Sequence, residues 1–340
     1  MSKTKTLLFN FSASHTGGGL KRLYEFSKWF NEKGGTNIII HPNCKNLIET
    51  FSNNNFFVVK QNIFDRFFND CFYLNEIMSE IGDIDFYYSY GIPIYKKIAS
   101  KHWFHLSNIS PFIPYSIELD LLVRLKMIVL GHRIKNNLNN CDHISAESDF
   151  SLSHMPKKYH SRLFLSVNGS DDEINYLTKN NEGEIKDIAV TVGTHKYKKT
   201  NNVYKMYLEL LKNNPELKLV IIGDPINLEQ HIIDNTNIKK TGIISREQVI
   251  ELLMRSKYFL TATTTENSYN AAAEGIYLAE ESYISDIQPH YELVNGMDYK
   301  VIQNNAGSFI HIKRKDLSLT NIRSWNDVVI QILNEAEISL

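Results

Sequence analysis

The amino-acid sequence predicts an α/β protein made of two doubly wound, mainly parallel sheets. Short apolar segments rich in β-favouring residues, such as 6–11 and 217–223, alternate with longer segments of helical character. The alternation restarts in the second half of the chain, and the length of 340 residues suits two domains of ordinary size. We therefore expect an N-terminal domain over 1–166, a C-terminal domain over 167–320, and a last helix within 321–340 that packs on the first domain.

The composition argues against several classes of protein. The 37 Lys+Arg nearly balance the 38 Asp+Glu, so the chain has no nucleic-acid-binding signature. Cys44, Cys71 and Cys141 form no C-x-x-C pair, which argues against a disulfide scaffold or a zinc site. No apolar stretch is long enough to span a membrane, and the N-terminus lacks a signal-peptide pattern. We expect a cytoplasmic protein.

The first βαβ unit contains a glycine-rich turn. Residues 6–11 and 36–41 predict strands, and 20–33 predict the helix between them. The triplet Gly17-Gly18-Gly19 precedes this helix and allows a ligand to approach the backbone closely. A dinucleotide-binding loop does not fit, because Arg22 stands where its third glycine is required and no acidic residue ends the second strand.

A second strand, loop and helix predict an anion site in the C-terminal half. Residues 258–262 favour a buried strand, and the Ala-rich stretch from about 269 to 280 favours a helix. Asn267 and Ser268 in the loop are candidate N-caps. Free backbone N–H groups and the helix dipole attract an anion at such a helix start.

Lysines follow another predicted strand, at 187–193. Gly193 ends this strand, and Lys196, Lys198 and Lys199 come directly after it. A lysine run is usually a solvated loop, but after a strand end it is a reasonable phosphate site.

Two further patterns leave alternatives open. Asp83 and Asp85 match a D-x-D metal motif, but they precede an apolar stretch and more simply open a strand. Residues 121–140 contain only basic charges, on Arg124, Lys126, Arg133 and Lys135. A helix there could lie on anionic lipid, or it could pack in the first domain with a solvated basic edge, and the two interpretations are compatible.

Glu266 and Glu274 have seven residues between them, on the strand, loop and helix described above. This arrangement resembles the Glu-x7-Glu motif of retaining glycosyltransferases of family four (GT4), whose fold is GT-B. The resemblance implies two Rossmann-like domains that face a cleft. It also covers the glycine-rich first turn, a strand that ends in His105, and the turn Asn168-Gly169 with the acidic Asp171 after it.

Carried over by position, the resemblance implies specific roles. The candidate catalytic residues are His105, Glu266 and Lys199. The candidate donor-binding residues are Gly18, Gly19, Gly193, Lys199, Asn267, Ser268, Tyr269 and Glu274. The basic residues of 121–140 would lie on the side of the membrane and the acceptor.

Two departures from the family pattern concern the phosphate site. Thr194 stands where the family usually has Arg, and Thr200 replaces a glycine. Lys196 or Lys198 could substitute for the missing Arg.

The function implied by this resemblance is transfer of a sugar with retention of configuration. The donor would be a UDP-linked hexose or N-acetylhexosamine, with Gal or GalNAc as the specific expectation. The acceptor would be a lipid-linked saccharide at the inner face of the cell membrane, in bacterial surface-polysaccharide (O-antigen) synthesis, and no metal or other cofactor would be required. The alternatives are a non-catalytic nucleotide-sugar or saccharide-binding module and a sugar epimerase of the same fold.

Overall fold

The computed structural model describes residues 5–61, 67, 71–169, 184–225, 228–314 and 323–339. The chain divides into two compact units. Unit 1 consists of Met1–Tyr115, Asp120–Gly169 and Arg323–Leu340, and unit 2 consists of Ser116–Leu119 and Ser170–Ile322. Asp171 and most of the polar stretch at 175–186 lie outside the described residues.

Unit 1 is built on a seven-stranded sheet whose strand pairs are all parallel. The strands are β1 Leu7–Asn10, β2 Asn37–Ile40, β3 Asn55–Val58, β4 Ile84–Tyr90, β5 Ala99–Leu106, β6 His143–Ala146 and β7 Leu163–Leu165. Their order is β3-β2-β1-β4-β5-β6-β7, so the chain winds outward in both directions from β1. The helices are α1 Gly17–Glu32, α2 Asn46–Thr50, α3 Cys71–Ile81, α4 Leu121–Asn137 and α5 Asp149–Ser153.

One face of this sheet is covered by α1 and by the C-terminal helix, Trp325–Glu335. Phe9 and Tyr88 of the sheet, Phe26 of α1 and Ile332 of the C-terminal helix belong to one apolar cluster. Ser324 begins the C-terminal helix with a capping box. The last helix therefore completes the core of unit 1.

The connection between β4 and β5 contains no helix. The backbone amides of Ile98 and Ala99 donate to Nε2 of His102, at 2.8 and 3.1 Å. These contacts hold the chain in an extended turn that enters β5 directly.

Unit 2 repeats the architecture with one difference. Its strands are β8 Lys186–Val192, β9 Lys218–Ile222, β10 Ile238–Gly242, β11 Ser256–Leu260, β12 Glu281–Ser285, β13 Lys300–Asn304 and β14 Gly307–Lys313. Their order is β10-β9-β8-β11-β12-β14-β13, and only the pairs that involve β14 are antiparallel. The helices are α6 Thr200–Leu211, α7 Gln230–Ile233, α8 Arg246–Met254, α9 Asn270–Leu278 and α10 Gln288–Leu293. The two doubly wound sheets confirm the predicted fold class, and the β13–β14 hairpin is an addition to it.

Gly275 fixes the distance between α9 and the sheet. A Cβ atom at this position would lie 2.1 Å from the ring of Phe259, which is fully buried in β11. Only glycine permits this approach without movement of the strand. The packing sets the position of the neighbouring Glu274.

We predict that Ile332→Ala lowers the free energy of unfolding of unit 1 by about 2–5 kcal/mol, because Ile332 is buried and truncation leaves a cavity. Ile330→Ala is the matched control, since Ile330 lies on the same helix but is 39% exposed. Urea titration followed by tryptophan fluorescence measures the change, because Trp29, Trp103 and Trp325 all lie in unit 1. Equal losses in the two variants would contradict the packing of the C-terminal helix.

Candidate functional site

An ion pair joins two loops at the carboxyl edge of the unit 2 sheet. Lys198 follows β8, Glu266 follows β11, and Lys198 Nζ donates to Glu266 Oε1 at 2.5 Å. Both side chains are less than one-fifth exposed. Burial acts to lower the pKa of Lys198, but the charge of Glu266, the nearby Tyr197 and the hydrogen bond to Glu266 together raise it. Lys198 is therefore held as a cation.

The backbone places Lys198 toward Glu266. Gly193 has φ +89°, and the aliphatic part of Lys198 lies close to its Cα. The carbonyl of Tyr197 accepts hydrogen bonds from the amide and the hydroxyl of Thr264, at 2.9 and 3.3 Å. The two loops are thus tied together next to the ion pair.

Lys199, the predicted phosphate lysine, points to a different partner. It has a left-handed backbone conformation, with φ 46°, and its ammonium donates to Glu118. The sequence offered Lys196 or Lys198 as a substitute for the missing Arg, and the structure places Lys198 against Glu266. Thr194, at the position of the family's Arg, is buried and donates its hydroxyl to the carbonyl of Asp224. Thr194 consequently has a structural partner and no charge to offer an anion.

The helix after Glu266 starts later than predicted. α9 begins at Asn270, and Tyr269 is its N-cap residue, so Asn267 and Ser268 lie in the preceding loop. No side chain caps α9, and its first turn contains no acid. α8, by contrast, begins with a capping box at Ser245. The start of α9 therefore retains the positive end of the helix dipole without a side-chain cap.

Glu274 has its own cation. Arg246 Nη1 of α8 donates to Glu274 Oε2 at 2.7 Å, and the Glu274 side chain is 18% exposed. The two glutamates of the Glu-x7-Glu pattern thus bind different basic residues, one from the loop after β8 and one from the first position of α8. Arg246 was not singled out from the sequence, because an arginine at a helix start has no distinctive pattern.

His290 is a further residue that the sequence analysis missed. It is fully buried in α10, and its Nδ1 donates to the carbonyl of Ser285 at 2.8 Å. Nε2 is then an unprotonated acceptor, and it has no hydrogen-bond partner among the described residues. Burial lowers the pKa of His290 to about 4, the Ser285 bond opposes this shift, and the charge of Lys198 adds to it.

In unit 1, the glycine-rich segment forms the start of α1. The helix begins at Gly17, three residues before the predicted start at Leu20, and Thr16 provides no side-chain cap. A Cβ atom on Gly19 would lie 3.1 Å from the ring of Tyr90, so this glycine allows α1 to approach β4. Gly18 and Gly19 thus belong to the first helical turn.

His105 is fully buried at the end of β5. Its Nδ1 lies 2.8 Å from Ser145 Oγ. The same oxygen accepts a hydrogen bond from Trp103 Nε1 at 2.6 Å. His105 Nε2 lies 3.5 Å from a carboxylate oxygen of Glu147. These contacts favour the tautomer in which Ser145 donates to Nδ1 and Nε2–H faces Glu147. Burial, followed by the charge of Arg22, lowers the pKa of His105 to about 4 against the opposing effect of Glu147.

Arg22 connects α1 to this network. Its guanidinium is fully buried and donates to Ser166 Oγ at 2.7 Å and to Asn168 Oδ1 at 2.9 Å. Glu147 lies 3.9 Å from the same guanidinium and accepts from the Tyr90 hydroxyl at 3.1 Å. His105 therefore belongs to a buried polar network beneath the start of α1.

The basic helix predicted at 121–140 is α4, and its two halves differ. Leu130 and Ile134 of the C-terminal half are buried, whereas Leu121 and Leu122 are 68% and 73% exposed and Leu125 is half exposed. Among its basic residues, Lys126 is exposed, Lys135 lies over the ring of Phe112 at 5.0 Å, and Arg124 and Arg133 are partly buried.

In the described part of the chain, no group of three or more His, Cys, Asp or Glu side chains could hold a metal ion. Asp85 of the D-x-D pattern accepts from the amide of Thr6 at 2.8 Å, beside the start of β4. That no metal is required stays a prediction. Within the same described ranges, we find no helix that is long and apolar enough to cross a membrane.

The two seven-stranded α/β sheets define a GT-B fold. Sucrose-phosphate synthase from Thermosynechococcus elongatus is similar to the chain with a TM-score of 0.64 and 11% identity, over 98% of this chain and 90% of that one. HepE from Anabaena, in complex with UDP and glucose, has a TM-score of 0.57 and 15% identity over 86% and 83% of the two chains. A candidate UDP-N-acetylglucosamine 2-epimerase from Listeria monocytogenes has a TM-score of 0.53 and 9% identity over 85% and 81%. No protein-family model matches the sequence, and no curated protein matches it.

We predict that unit 1 loses stability as the pH falls from about 6.5 towards 4, partly through His105. An unfolded histidine takes up a proton near pH 6.5, whereas folded His105 stays neutral to about pH 4, so the unfolded state binds more protons in this window. One such proton gives a slope of about 1.4 kcal/mol per pH unit. Urea titrations across this window should show a smaller slope for His105→Gln than for the unsubstituted protein. His132→Gln, at an exposed position, should leave the slope unchanged, and an unchanged slope in His105→Gln would refute the assignment.

Proposed function

We propose that this protein is a retaining glycosyltransferase of the GT4 type that transfers a sugar from a UDP-sugar to a lipid-linked saccharide. The observation that supports this most directly is the Lys198–Glu266 pair next to the uncapped start of α9. A cation, a helix N-terminus and a carboxylate at one sheet edge suit a ligand that has both phosphates and hydroxyl groups.

The chemistry needs stabilisation of the leaving group. Negative charge grows on the β-phosphate of UDP as the glycosidic bond breaks. The ammonium of Lys198 and the first amides of α9 would bind this charge, and donors of this kind are each worth about 2.7–4 kcal/mol of transition-state stabilisation. These groups would take the place of a metal ion, so no cofactor is needed in this mechanism.

The two glutamates would hold the two ends of the donor. Glu274 would accept from the ribose hydroxyls, with Arg246 fixing its orientation, and Glu266 would accept from the donor sugar through the oxygen that Lys198 leaves free. Retention follows from attack on the same face as the departing phosphate, which takes the acceptor's proton. Gly193, Asn267, Ser268 and Tyr269 would line the donor site of unit 2.

The choice of UDP is supported by the similarity to HepE, which was solved with UDP and glucose. We propose a hexose or N-acetylhexosamine as the sugar, with Gal or GalNAc as first choices.

An epimerase is the alternative that the similar Listeria structure supports. It would interconvert two UDP-sugars without an acceptor. A non-catalytic sugar-nucleotide-binding module is the other alternative, supported by the absence of charge at Thr194. It would bind UDP without turnover, whether or not Glu266 is replaced.

The acceptor would be presented at an anionic membrane surface by α4. Its exposed leucines and Lys126 form a surface that carries both apolar and basic groups, and no acidic residue occurs between Asp120 and Asp142. This surface is the basis for the proposed peripheral location at the inner face of the cell membrane. A role in O-antigen synthesis is part of the same proposal.

We predict that Lys198→Met lowers the rate of UDP-hexose turnover by about 10²–10³, because it removes the cation nearest the developing charge. Release of UDP from UDP-glucose, UDP-galactose and their N-acetyl forms is the measurement. Lys199→Met should lose less, since Lys199 faces Glu118, and the exposed Lys212→Met serves as the control. Full activity in Lys198→Met would contradict the proposed role, and formation of an epimeric UDP-sugar would favour the epimerase.

We predict that the double substitution of Leu121 and Leu122 by Ser reduces binding to phosphatidylglycerol-containing vesicles at least tenfold. Burial of each side chain in lipid contributes about 1.5–3 kcal/mol. Vesicle flotation measures the bound fraction, and phosphatidylcholine vesicles test the contribution of the basic residues. Phe72→Ser is the matched control, since Phe72 is 76% exposed elsewhere in unit 1. Equal binding by the double variant and the control would contradict membrane docking through α4.

A further inference from the structure

Three loops meet at the carboxyl edge of the unit 1 sheet, where β1, β2 and β3 end. They are residues 11–16, 41–45 and 59–61. The amide of Val59 donates to the carbonyl of Ile40 at 2.9 Å, so the second and third loops leave neighbouring strands together. The Cys44 thiol lies 3.6 Å from the carbonyl of Ser14, which joins the first loop to the second.

Two histidines stack where these loops meet. The rings of His15 and His41 lie 4.4 Å apart, centre to centre, with an angle of 26° between their planes. The amide of Asn43 donates to His41 Nδ1 at 3.1 Å, so the neutral ring of His41 has its proton on Nε2. Neutral His41 therefore keeps one N–H donor for a ligand.

The charges of the three loops have one sign. The ionisable residues on these segments, apart from Cys44, are His15, His41, Lys45 and Lys60, and the segments contain no Asp or Glu. Burial lowers the pKa of His41, and the charges of His15 and Lys60 lower it further. The like charges thus oppose protonation of His41, and a bound anion would relieve this repulsion.

The same edge also contains the start of α1. Gly17 begins this sixteen-residue helix directly after the first loop, with no side-chain cap and no acid in its first turn. The helix dipole adds partial positive charge next to His15.

We propose that His15, His41 and Lys60, with the start of α1, form a binding subsite for a phosphate group of the acceptor. The inference rests on the proposed function and narrows the acceptor to a phosphorylated one, such as a saccharide joined to its lipid through a phosphate or diphosphate. A phosphate suits the site because its several oxygens accept from several donors at once, whereas a carboxylate of an acidic sugar offers only two.

The test uses the full chain with ¹⁵N-labelled histidine and a saturating concentration of UDP. Inorganic pyrophosphate is the probe, and NMR of the imidazole nitrogens reports on each ring. We expect saturable shifts of the His15 and His41 resonances, with the His132 resonances unaffected. Glucuronate in a second titration tests a carboxylate ligand, and we expect at least tenfold weaker binding than for pyrophosphate.

Lys60→Gln and His15→Gln should each weaken pyrophosphate binding severalfold, as read from the His41 resonances, and His132→Gln should not. Unmoved His15 and His41 resonances, or tighter binding of glucuronate, would overturn the proposal. Turnover of UDP-hexose by the unsubstituted protein is measured in parallel. A chain that binds pyrophosphate at the histidine pair but has no turnover would contradict the proposed function and support the subsite, and the reverse result would contradict the subsite alone.

Discussion

Strands β8 and β11 lie side by side in unit 2, and this pairing decides which loops meet at the carboxyl edge of the sheet. Val190 pairs with Phe259, so the loop after Gly193 and the loop that contains Glu266 leave adjacent strands. The hydrogen bonds from Thr264 to the carbonyl of Tyr197 hold these loops together, and the Lys198–Glu266 pair forms next to them. If either loop were attached to a different strand, lysine and glutamate could not meet.

Unit 1 depends on a different kind of pair. Removing Arg22 and Glu147 from water carries a desolvation penalty of several kcal/mol for each ion, which their separation of 3.9 Å alone does not offset. Ser166, Asn168 and Tyr90 supply further hydrogen bonds to the two charged groups. Because these partners come from several parts of the sheet and its loops, the network restricts the position of α1. Loss of one member would leave the others buried without a partner, which is more costly than loss of a surface ion pair.

The fold class could be predicted because alternating strands and helices leave a clear pattern of apolar residues. The capping box at Ser245 is a local feature, because its two side chains, Ser245 and Gln248, are three positions apart in the sequence. The β13–β14 hairpin was missed because its strands, Lys300–Asn304 and Gly307–Lys313, mix polar and apolar residues. β13 lies at the edge of the sheet and has no buried position. Tertiary contacts decide such edges, and the sequence shows them only weakly.

The candidate site was predictable at the level of segments and less so at the level of side chains. Glu266 and Glu274 were found from their spacing, but their partners Lys198 and Arg246 lie far away in sequence. Lys198 and Lys199 are adjacent in the sequence. The left-handed backbone conformation of Lys199 directs their side chains to different partners. The sequence gives no indication of His290, because a buried histidine differs from an exposed one only in its three-dimensional surroundings.

The carboxyl edges of the two sheets differ in whether acidic side chains pair with the basic ones. In unit 2, Glu266 and Glu274 are each bound to a basic side chain. A diphosphate would therefore have to share Lys198 with Glu266. In the proposed mechanism, attraction there would come chiefly from the start of α9, which has no side-chain cap, and the paired carboxylates would select for hydroxyl groups. The segments 11–16, 41–45 and 59–61 of unit 1 contain no acids, so an anion would meet His15, His41 and Lys60 without competition from a carboxylate on those segments. An arrangement of this kind would let the protein distinguish a phosphate linked to a sugar nucleotide from a phosphate on the acceptor, because only the first brings hydroxyl groups to the two glutamates.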